Sequence, residues 1–453
     1  MTRTSHPQAT APAVGRSGST LVAALCGTLI LFDGYDLVVY GNVVPALLAE
    51  PGWGLTPARA GQIASLTLIG MAVGALLAGT VADRVGRRSL VLVSLAWFSV
   101  SMAVCAVAPN VLVFEVSRAV GGLGLGAMFP LATALVIEFT APRRRARVYV
   151  LTTFGYLVGG VVAAGLGLLL IQSVGWRVMF WIGAAPILLL PLLFKMLPES
   201  TAWLVARGRH GDAVAQAELH GVEAPPAVVA EETRGRRRRG TAVLFGDGYA
   251  VATVMLWGVQ FCSLLLVFGM VTWLPTIMTR LDYTLGFALA FVLVLNVGAA
   301  IGAFAAARFA DRIGPRPAVV TLFVLGAVAV AALALRPGTT LVFLLIGVAG
   351  AGTLGTQILV NVFASSLYPT AARTTGLGWA LGVGRLGGIV GPSVGGALLA
   401  AGLGAQWNFY VFAIVAAAGG LLALLLPLTP VARVTQSADP AEPATGDGRA
   451  LPA

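Results

Sequence analysis

Long apolar runs separated by short polar breaks recur along the whole chain. A helix needs about 20 mainly apolar residues to cross the hydrocarbon core of a bilayer. A transmembrane strand would alternate apolar and polar residues over about ten positions, and these runs are continuous instead. We therefore predict an all-α membrane protein with twelve transmembrane helices, called spans 1 to 12, at residues 21–48, 60–81, 89–108, 111–137, 148–171, 176–197, 248–275, 285–308, 318–335, 339–363, 376–401 and 407–428.

The longest polar break lies in the middle of the chain and divides the spans into two sets of six. The predicted regions are a cytoplasmic tail at 1–20, an N-terminal half at 21–197, a cytoplasmic central loop at 198–247, a C-terminal half at 248–428 and a disordered cytoplasmic tail at 429–453. Ser200 is predicted to cap a short surface helix after span 6. The basic run GRRRRG, with Arg236 to Arg239, is interpreted as a solvated segment near anionic lipid headgroups.

Arginine is concentrated in every second break between the spans. The arginine-rich breaks contain Arg84, Arg87, Arg88, Arg143, Arg144, Arg145, Arg147, Arg312, Arg316 and Arg373, whereas the other breaks contain Arg59, Arg177, Arg280 and Arg336. Cytoplasmic loops of membrane proteins carry the excess of Lys and Arg. We therefore predict a multi-pass protein of the cytoplasmic (plasma or inner) membrane with both termini in the cytoplasm. The same rule accounts for the net charge of +11, so no nucleic-acid partner is expected.

The composition limits the chemistry further. Only 10% of the residues are charged, against about 25% in a soluble globular chain. Cys26, Cys105 and Cys262 lie singly in apolar runs, so neither a disulfide framework nor a metal site is predicted. The three histidines lie outside the spans. A proton relay within the membrane would therefore have to use carboxylates.

Two carboxylates interrupt the apolar sequence of span 1. In LFDGYDLVVY, Asp33 and Asp36 are three residues apart and Tyr40 lies one helical turn further on, so the three share a helix face. Even a single Asp at the centre of a membrane helix costs about 2.5–3.5 kcal/mol. The two acids must therefore face a water-filled cavity or a cation. One interpretation is a structural ion pair. The other is proton binding, because two nearby carboxylates repel each other and one can keep its proton near neutral pH.

Two arginines are predicted at a similar depth in the membrane. Arg118 lies in span 4, about 10–12 Å below the outer face at 1.5 Å per residue. It either neutralises Glu115, which is three residues earlier, or anchors an acidic substrate or pairs with Asp36. Arg385 lies near the middle of span 11, which contains no acid, so its partner is either a substrate carboxylate or an acid of span 1. A guanidinium group can hold a carboxylate through two parallel hydrogen bonds.

Uncharged polar and aromatic residues supply further candidates for a binding site. Gln357 and Asn361 are four residues apart in span 10 and can face a cavity together, or they can bridge neighbouring helices, as can Asn296. Trp273, near the outer end of span 7, is predicted to anchor the helix at the membrane interface. The candidates for an aromatic wall, with helix packing as the alternative, are Tyr156, Phe268 and Trp379.

The loops after spans 2 and 8 share a sequence pattern. GTVADRVGRR at 79–88 and ARFADRIGPRP at 307–317 both contain ADR-x-G-x-R. Duplicated halves are typical of secondary transporters, whose binding sites lie near the membrane midplane between the repeats.

Twelve spans in two halves, with G-x-x-x-D-R-x-G-R-R after span 2, resemble the major facilitator superfamily. Two positions depart from the family pattern, because Leu131 follows Pro130 where a polar residue is usual, and the second loop motif begins with Ala307 and is interrupted by Pro315. Further segments, in order from about residue 20 to 428, resemble its aromatic acid:proton symporter family: DGYDLVVYGNVVPALL, RAVGGLGLGAMFPLATALVIEFTAPRRRAR, MFWIGAAPILLLPLLFKMLPES, WLPTIM and YPTAARTTGLGWALGVGRLGGIVGPSVGG.

The resemblance implies a transporter that takes up small aromatic carboxylates such as hydroxybenzoate together with protons. It also implies a gate at the cytoplasmic face, where the aspartates would meet helix ends and arginines when the inside is closed. The gating candidates are Asp83, Arg84, Arg88, Asp311 and Arg312. Asp33 and Asp36 are the predicted proton-coupling residues, and the predicted substrate-binding residues are Arg118, Arg385, Tyr40, Gln357, Asn361 and Trp379.

The expected mechanism is alternating access, in which the two halves rock around a central site and the proton gradient supplies the energy without a cofactor. The expected partners are the aromatic acid, the proton and the lipid bilayer, and the protein is expected to be a monomer. The alternatives are a proton-coupled transporter of another organic acid and a proton antiporter that exports organic solutes. A membrane sensor would need an output domain, which the central loop is too short to supply. An enzyme is not expected, because no nucleophile–base pair or metal cluster occurs.

Overall fold

A computed structural model describes residues 16–222, 244–246 and 249–427. Twelve helices in these segments are long and apolar enough to cross a membrane, which confirms the predicted fold class. They correspond to spans 1 to 12 and are α1 (Arg16–Leu48), α2 (Pro57–Val85), α3 (Arg87–Ala106), α4 (Val111–Glu138), α5 (Arg145–Leu170), α6 (Arg177–Met196), α7 (Tyr249–Arg280), α8 (Leu285–Ile313), α9 (Pro315–Leu333), α10 (Thr339–Leu367), α11 (Thr370–Ala400) and α12 (Gln406–Leu425).

Several helices extend beyond the apolar runs from which they were predicted. α2 begins early because Thr56 accepts a hydrogen bond from the backbone N–H of Arg59 at 3.3 Å and Pro57 occupies the first turn. α2 and α8 then continue through their ADR sequences until Gly86 and Gly314, which have φ angles of +94° and +89°. Glycine adopts such angles without a steric penalty. The repeated motif therefore forms the same turn between consecutive helices in both halves.

Two helices contain irregular segments inside the membrane. α6 has a 3₁₀ segment at Ala185–Leu189, where Pro186 lacks the N–H that an α-helix would use. α10 contains a π-helical turn at Ala351–Gly355, and the Thr356 hydroxyl donates to the Ala351 carbonyl at 3.3 Å. Turns of this kind inside α-helices occur frequently at functional sites.

Each set of six helices packs mainly with itself. α1 packs on α5 and α2 on α4 in the first set, whereas α7 packs on α11 and α9 on α12 in the second. The two sets meet where α1 contacts α7, α2 contacts α11 and α5 contacts α8. We call the side of the protein that carries Gly86 and Gly314 the arginine-rich face, and the other side the opposite face.

The contacts of α1 with α7 and of α2 with α11 lie close to the opposite face. Gly41 packs against the backbone of Val271, and Gly61 packs against the backbone of Pro392. Small residues allow helix backbones to approach closely within a membrane. The Ser65 hydroxyl adds a hydrogen bond to the hydroxyl of Ser393 at 2.7 Å. Close helix packing therefore joins the halves beside the opposite face.

Trp273 corrects one sequence-based prediction. It was predicted to be an anchor at the membrane interface, but its side chain is fully buried. Its indole N–H donates to the carbonyl of Pro392 at 2.7 Å, and its ring packs against Gly395 and Gly396 of α11. The prediction was wrong because the glycines of α11 leave room for the indole between the two helices.

Two short helices follow α6 at the arginine-rich face, Thr201–Ala206 and His210–His220. The Ser200 hydroxyl accepts a hydrogen bond from the backbone N–H of Trp203 at 3.2 Å, so the predicted N-cap is confirmed. The basic run from Arg236 to Arg239 lies outside the described residues, as do nearly all residues of the two predicted tails.

Replacing Gly61 by Val should destabilise the closed packing at the opposite face. A Cβ atom at this position would lie 2.5 Å from the carbonyl oxygen of Pro392, whereas a Cβ at Gly79, in the same helix, would meet nothing within 4 Å. Overpacking typically costs about 1–3 kcal/mol. We expect a lower melting temperature for purified Gly61→Val than for the control Gly79→Val. Equal melting temperatures would contradict this account of the contact.

Candidate functional site

A cavity lies between α1, α2, α4, α5 and α7. It contains both acids of α1 and the arginine of α4, with aromatic and hydroxyl side chains around them. The lining residues are Asp33, Asp36, Leu37, Tyr40, Ala64, Thr67, Leu68, Met71, Arg118, Leu125, Tyr156, Phe268 and Thr272.

Asp36 and Arg118 form a buried ion pair across α1 and α4. Both terminal nitrogens of Arg118 donate to the carboxylate, and the bond from Nη2 to Asp36 Oδ2 measures 3.1 Å. The two side chains are only 3% and 5% exposed. The guanidinium carbon lies 5.5 Å from the ring centre of Tyr40 and 6.0 Å from that of Phe180. The two aromatic rings and the two hydrogen bonds to Asp36 hold Arg118 in one orientation.

Glu115 has a different partner from the one considered in the sequence analysis. Its carboxylate binds Arg59 at 3.0 Å near the opposite face. The alternative that Arg118 neutralises Glu115 is therefore wrong.

Asp33 lies beside this ion pair but is not part of it. Its side chain is 4% exposed, and its Oδ1 atom is buried without a hydrogen-bond partner in the part of the chain that the structure describes. Asp36 and Arg385 both lie within electrostatic range of it. An unpaired buried carboxylate is unfavourable in its charged form. Of the two carboxylates in the cavity, Asp33 is therefore the one whose negative charge is stabilised less.

The two tyrosines of the α1 motif point to different places. Tyr40 lines the cavity and donates its hydroxyl to the carbonyl of Ala60 at 2.6 Å, so it presents its ring rather than its hydroxyl to the cavity. Tyr35 donates to the carbonyl of Met179 at 2.7 Å and packs toward α6. This arrangement follows from helical spacing, because Tyr35 is off the face shared by the acids.

Arg385 is exposed and is not among the residues that line the cavity. It lies on α11, and none of the described residues forms a hydrogen bond or an ion pair with it. It lies within electrostatic range of Asp33 and Tyr156. Asp36 neutralises the charge of Arg118, although the buried Nε of Arg118 has no partner among the described residues. Arg385 is therefore the guanidinium group near the site whose charge is not paired.

Gln357 and Asn361 do not line the cavity but form a cluster with a residue that the sequence analysis missed. Gln357 Nε2 donates to Gln260 Oε1 at 3.0 Å, and Gln260 Nε2 donates to Asn361 Oδ1 at 2.8 Å. Gln260 is fully buried in α7. Its position inside an apolar run was the available signal, because buried polar side chains in membrane helices require partners.

The three aromatic candidates do not share one location. Tyr156 and Phe268 line the cavity. Trp379 does not, since it is 50% exposed and stacks on Trp257 with 5.8 Å between the ring centres. Asn296 is also away from the cavity lining and donates to the carbonyl of Val292 in its own helix at 2.9 Å.

Comparison with known proteins gives the family of the chain. The model of the Major Facilitator Superfamily matches residues 26–392 and, in a second match, residues 294–448. The chain belongs to the major facilitator superfamily.

Similar proteins in this superfamily confirm the family resemblance seen in the sequence. A benzoate transport protein of Acinetobacter baylyi is 33% identical over 431 residues, which cover 91% of this chain and 92% of that protein. A gentisate transporter of Corynebacterium glutamicum is 37% identical over 433 residues, with 94% and 92% covered. The family and these relatives are transporters, so the chain is a multi-pass membrane transporter of the plasma membrane rather than an enzyme.

A solved structure of the same superfamily confirms the fold. The xylose transporter XylE from E. coli, in a partially occluded inward-open conformation, superposes with a TM-score of 0.72 at 18% sequence identity. The superposition covers 91% of this chain and 98% of XylE.

The superfamily loop motif lies at the arginine-rich face with its aspartates unpaired. The carboxylates of Asp83 and Asp311 are exposed and form no ion pair with described residues. Arg84 is exposed, and its carbonyl accepts from Arg207 at 2.5 Å. Arg88 donates to the carbonyl of Phe194, and Arg312 is exposed. The predicted closed-gate contacts of the aspartates are therefore absent from the described residues in this conformation.

Two glutamates at the same face were missed in the sequence analysis. Glu138 binds Arg87 at 2.8 Å and accepts a bond from the backbone N–H of Ala202 at 2.7 Å. Glu199 accepts a bond from the backbone N–H of Arg88 at 3.0 Å. Both carboxylates lie at helix N-termini, where the helix dipole favours negative charge. Their positions at the ends of spans 4 and 6 were the available signal. Among the residues described, no cluster of His, Cys, Asp and Glu could hold a metal ion.

Removing the Asp36 charge should destabilise the protein strongly. Asp36→Asn leaves Arg118 buried without its counter-charge, and breaking a buried pair in this way costs about 3–5 kcal/mol. The control Glu115→Gln breaks a pair whose Arg59 side chain is 45% exposed, so its cost should be at most about 1 kcal/mol. Thermal unfolding of the purified variants measures both. A melting temperature for Asp36→Asn no lower than that for Glu115→Gln would contradict the assignment.

Proposed function

We propose that this protein is a proton-coupled importer of small aromatic carboxylates such as hydroxybenzoates and works by alternating access. The observation that carries the proposal is the pairing pattern of the charged residues that line the cavity or lie within electrostatic range of it. Asp36 and Arg118 neutralise each other, which leaves one carboxylate, Asp33, and one guanidinium, Arg385, without hydrogen-bonded partners among the described residues.

The substrate class is supported by the relatives and by the cavity walls. The similar proteins are named for benzoate and gentisate, which are both aromatic carboxylates. Tyr40, Tyr156 and Phe268 give the cavity aromatic surfaces. Arg385 would hold the carboxylate through two parallel hydrogen bonds.

The charges of the site favour an anionic substrate over a cationic one. Asp33, Asp36, Arg118 and Arg385 sum to zero when all are charged, and protonation of Asp33 leaves one net positive charge. An anionic substrate restores neutrality, whereas an organic cation would add a second unbalanced charge. This argument disfavours the alternative of an antiporter that exports organic cations.

Competition between Asp33 and the substrate carboxylate for Arg385 would couple proton binding to substrate binding. Burial and the neighbouring Asp36 both disfavour a negative charge on Asp33, and in the empty site the positive charge of Arg385 partly offsets these two effects. A substrate carboxylate bound to Arg385 removes that support, so Asp33 takes up a proton when the substrate binds. Both ligands then cross together, and loss of the proton from Asp33 restores the electrostatic attraction between Asp33 and Arg385 and releases the substrate.

The helix contacts support alternating access with the arginine-rich face in the cytoplasm. The halves are joined near the opposite face by the contacts of Gly41 and Gly61, whereas the gate aspartates at the arginine-rich face are unpaired. By the positive-inside rule, both termini are cytoplasmic. This conformation is therefore the one that releases substrate into the cell. The carrier would act as a monomer in the lipid bilayer, without a cofactor.

Uptake by proteoliposomes tests the function. With an imposed inward proton gradient, the wild type should accumulate benzoates but not non-aromatic acids. Asp33→Asn should lose accumulation while still exchanging labelled for unlabelled substrate, because binding remains and proton coupling is lost. The control Asp282→Asn, a loop carboxylate that is 90% exposed, should behave as the wild type.

Two results would overturn the proposal. Uptake confined to non-aromatic acids would exclude the substrate class. Full proton-driven accumulation by Asp33→Asn would exclude Asp33 as the coupling group.

A further inference from the structure

Phe268 of α7 is the aromatic side chain that the C-terminal half contributes to the cavity. The other described residue of this half in the cavity lining is Thr272, which also lies on α7. None of the described lining residues belongs to α11. The Phe268 side chain is partly buried. The proposed mechanism uses its ring only as an apolar surface, although its position determines how wide the cavity is on this side.

The Phe268 ring rests on a glycine of α11. A Cβ atom added at Gly388 would lie 2.9 Å from Cδ2 and 3.2 Å from Cε2 of the ring. The ring therefore occupies space that a side chain at position 388 would fill. Because the ring also borders the cavity, it lies between the backbone of α11 and the cavity. The glycine lets the ring lie as far back from the cavity as α11 permits.

The backbones of α7 and α11 are in direct contact on both sides of Gly388. A Cβ atom added at Gly387 would overlap the carbonyl oxygen of Phe261, and one added at Gly391 would lie 2.5 Å from the carbonyl oxygen of Leu265. In an interior packed this closely, a change of one methyl group is passed on to the neighbouring side chains. A methyl group at position 388 would therefore displace the Phe268 ring, which is the movable neighbour, toward the cavity.

We propose that Gly388 is a positioning residue that sets, through the Phe268 ring, the largest aromatic ring system that the carrier accepts. With glycine at this position the cavity has its greatest width on the α7 side, and a substrate ring can pack on Phe268 in an offset or edge-to-face arrangement. Any side chain at position 388 narrows the cavity without entering it. This inference rests on the proposed function and adds to it the residue that limits the size of the substrate.

Uptake by proteoliposomes under an inward proton gradient tests the proposal with aromatic acids of increasing size. Labelled benzoate, 4-methylbenzoate and 2-naphthoate are compared by the ratio of maximal rate to KM. Gly388→Ala should lower this ratio for the larger acids, relative to benzoate, by about tenfold or more, because one methylene group in an apolar pocket is worth about 10- to 200-fold. The loss should arise from a higher KM. Phe268→Leu should act in the opposite direction and raise the ratio for 2-naphthoate relative to benzoate.

A matched control and a double variant separate this role from a general effect on packing. Gly382→Ala adds the same methyl group to α11 where a Cβ atom meets nothing within 4 Å, so it should keep the wild-type preference. Adding Gly388→Ala to Phe268→Leu should change the preference about twofold or less, because the two residues act through one contact. The same preference in Gly388→Ala and Gly382→Ala would overturn the inference. A tenfold effect of Gly388→Ala without the Phe268 ring would also overturn it.

If Gly388→Ala alone does not fold, melting temperatures of the purified variants decide. The double variant should then melt at the temperature of Phe268→Leu alone, because the ring is the group that the methyl group displaces. A double variant that remains unfolded would overturn the inference.

The two proposals fail in different ways. A wild type that takes up aromatic acids, with a size preference that Gly388→Ala leaves unchanged, would overturn the size inference and leave the proposed function intact. Absence of uptake of any aromatic acid by the wild type would overturn both.

Discussion

The cost of burying charge in a membrane protein governs the arrangement of this site. An isolated ion inside an apolar helix bundle is too unfavourable to persist, so each buried charge needs a partner or must lose its charge. Asp36 and Arg118 meet this requirement through two hydrogen bonds between their buried side chains. Because this pair neutralises Arg118, Asp33 is the charged group of the cavity that remains without a partner among the described residues, and Arg385 lies within electrostatic range of it.

Much of the fold follows from local sequence. The apolar runs locate all twelve helices, and the ADR-x-G-x-R repeat locates two identical turns, because Gly86 and Gly314 must adopt positive φ angles there. The helix ends were less predictable, since a helix continues past its apolar run until a cap or a glycine stops it. The central ion pair was only one of several possibilities for Arg118. Its actual partner depends on how α1 and α4 pack, which spacing along a single helix does not determine.

The residues that the sequence analysis missed have a common physical feature. Gln260, Glu138 and Glu199 all acquire their roles from partners on other helices. Trp273 was misplaced for the same reason, because the space that buries it is created by glycines of α11. A single sequence shows that a polar or aromatic residue is present in a span, and helix periodicity gives its face. Only the packing of the two halves shows whether that face meets lipid, a cavity or a neighbouring helix.

The two halves of the molecule divide the chemistry unequally. The N-terminal half holds both acids and a cation whose charge one of them neutralises, so it is suited to binding and releasing a proton. The C-terminal half holds Arg385, a guanidinium group that forms no ion pair with the described residues, so it is suited to binding an anion. In the proposed mechanism, Arg385 links the two functions, because it can support either Asp33 or a substrate carboxylate but loses one when it binds the other.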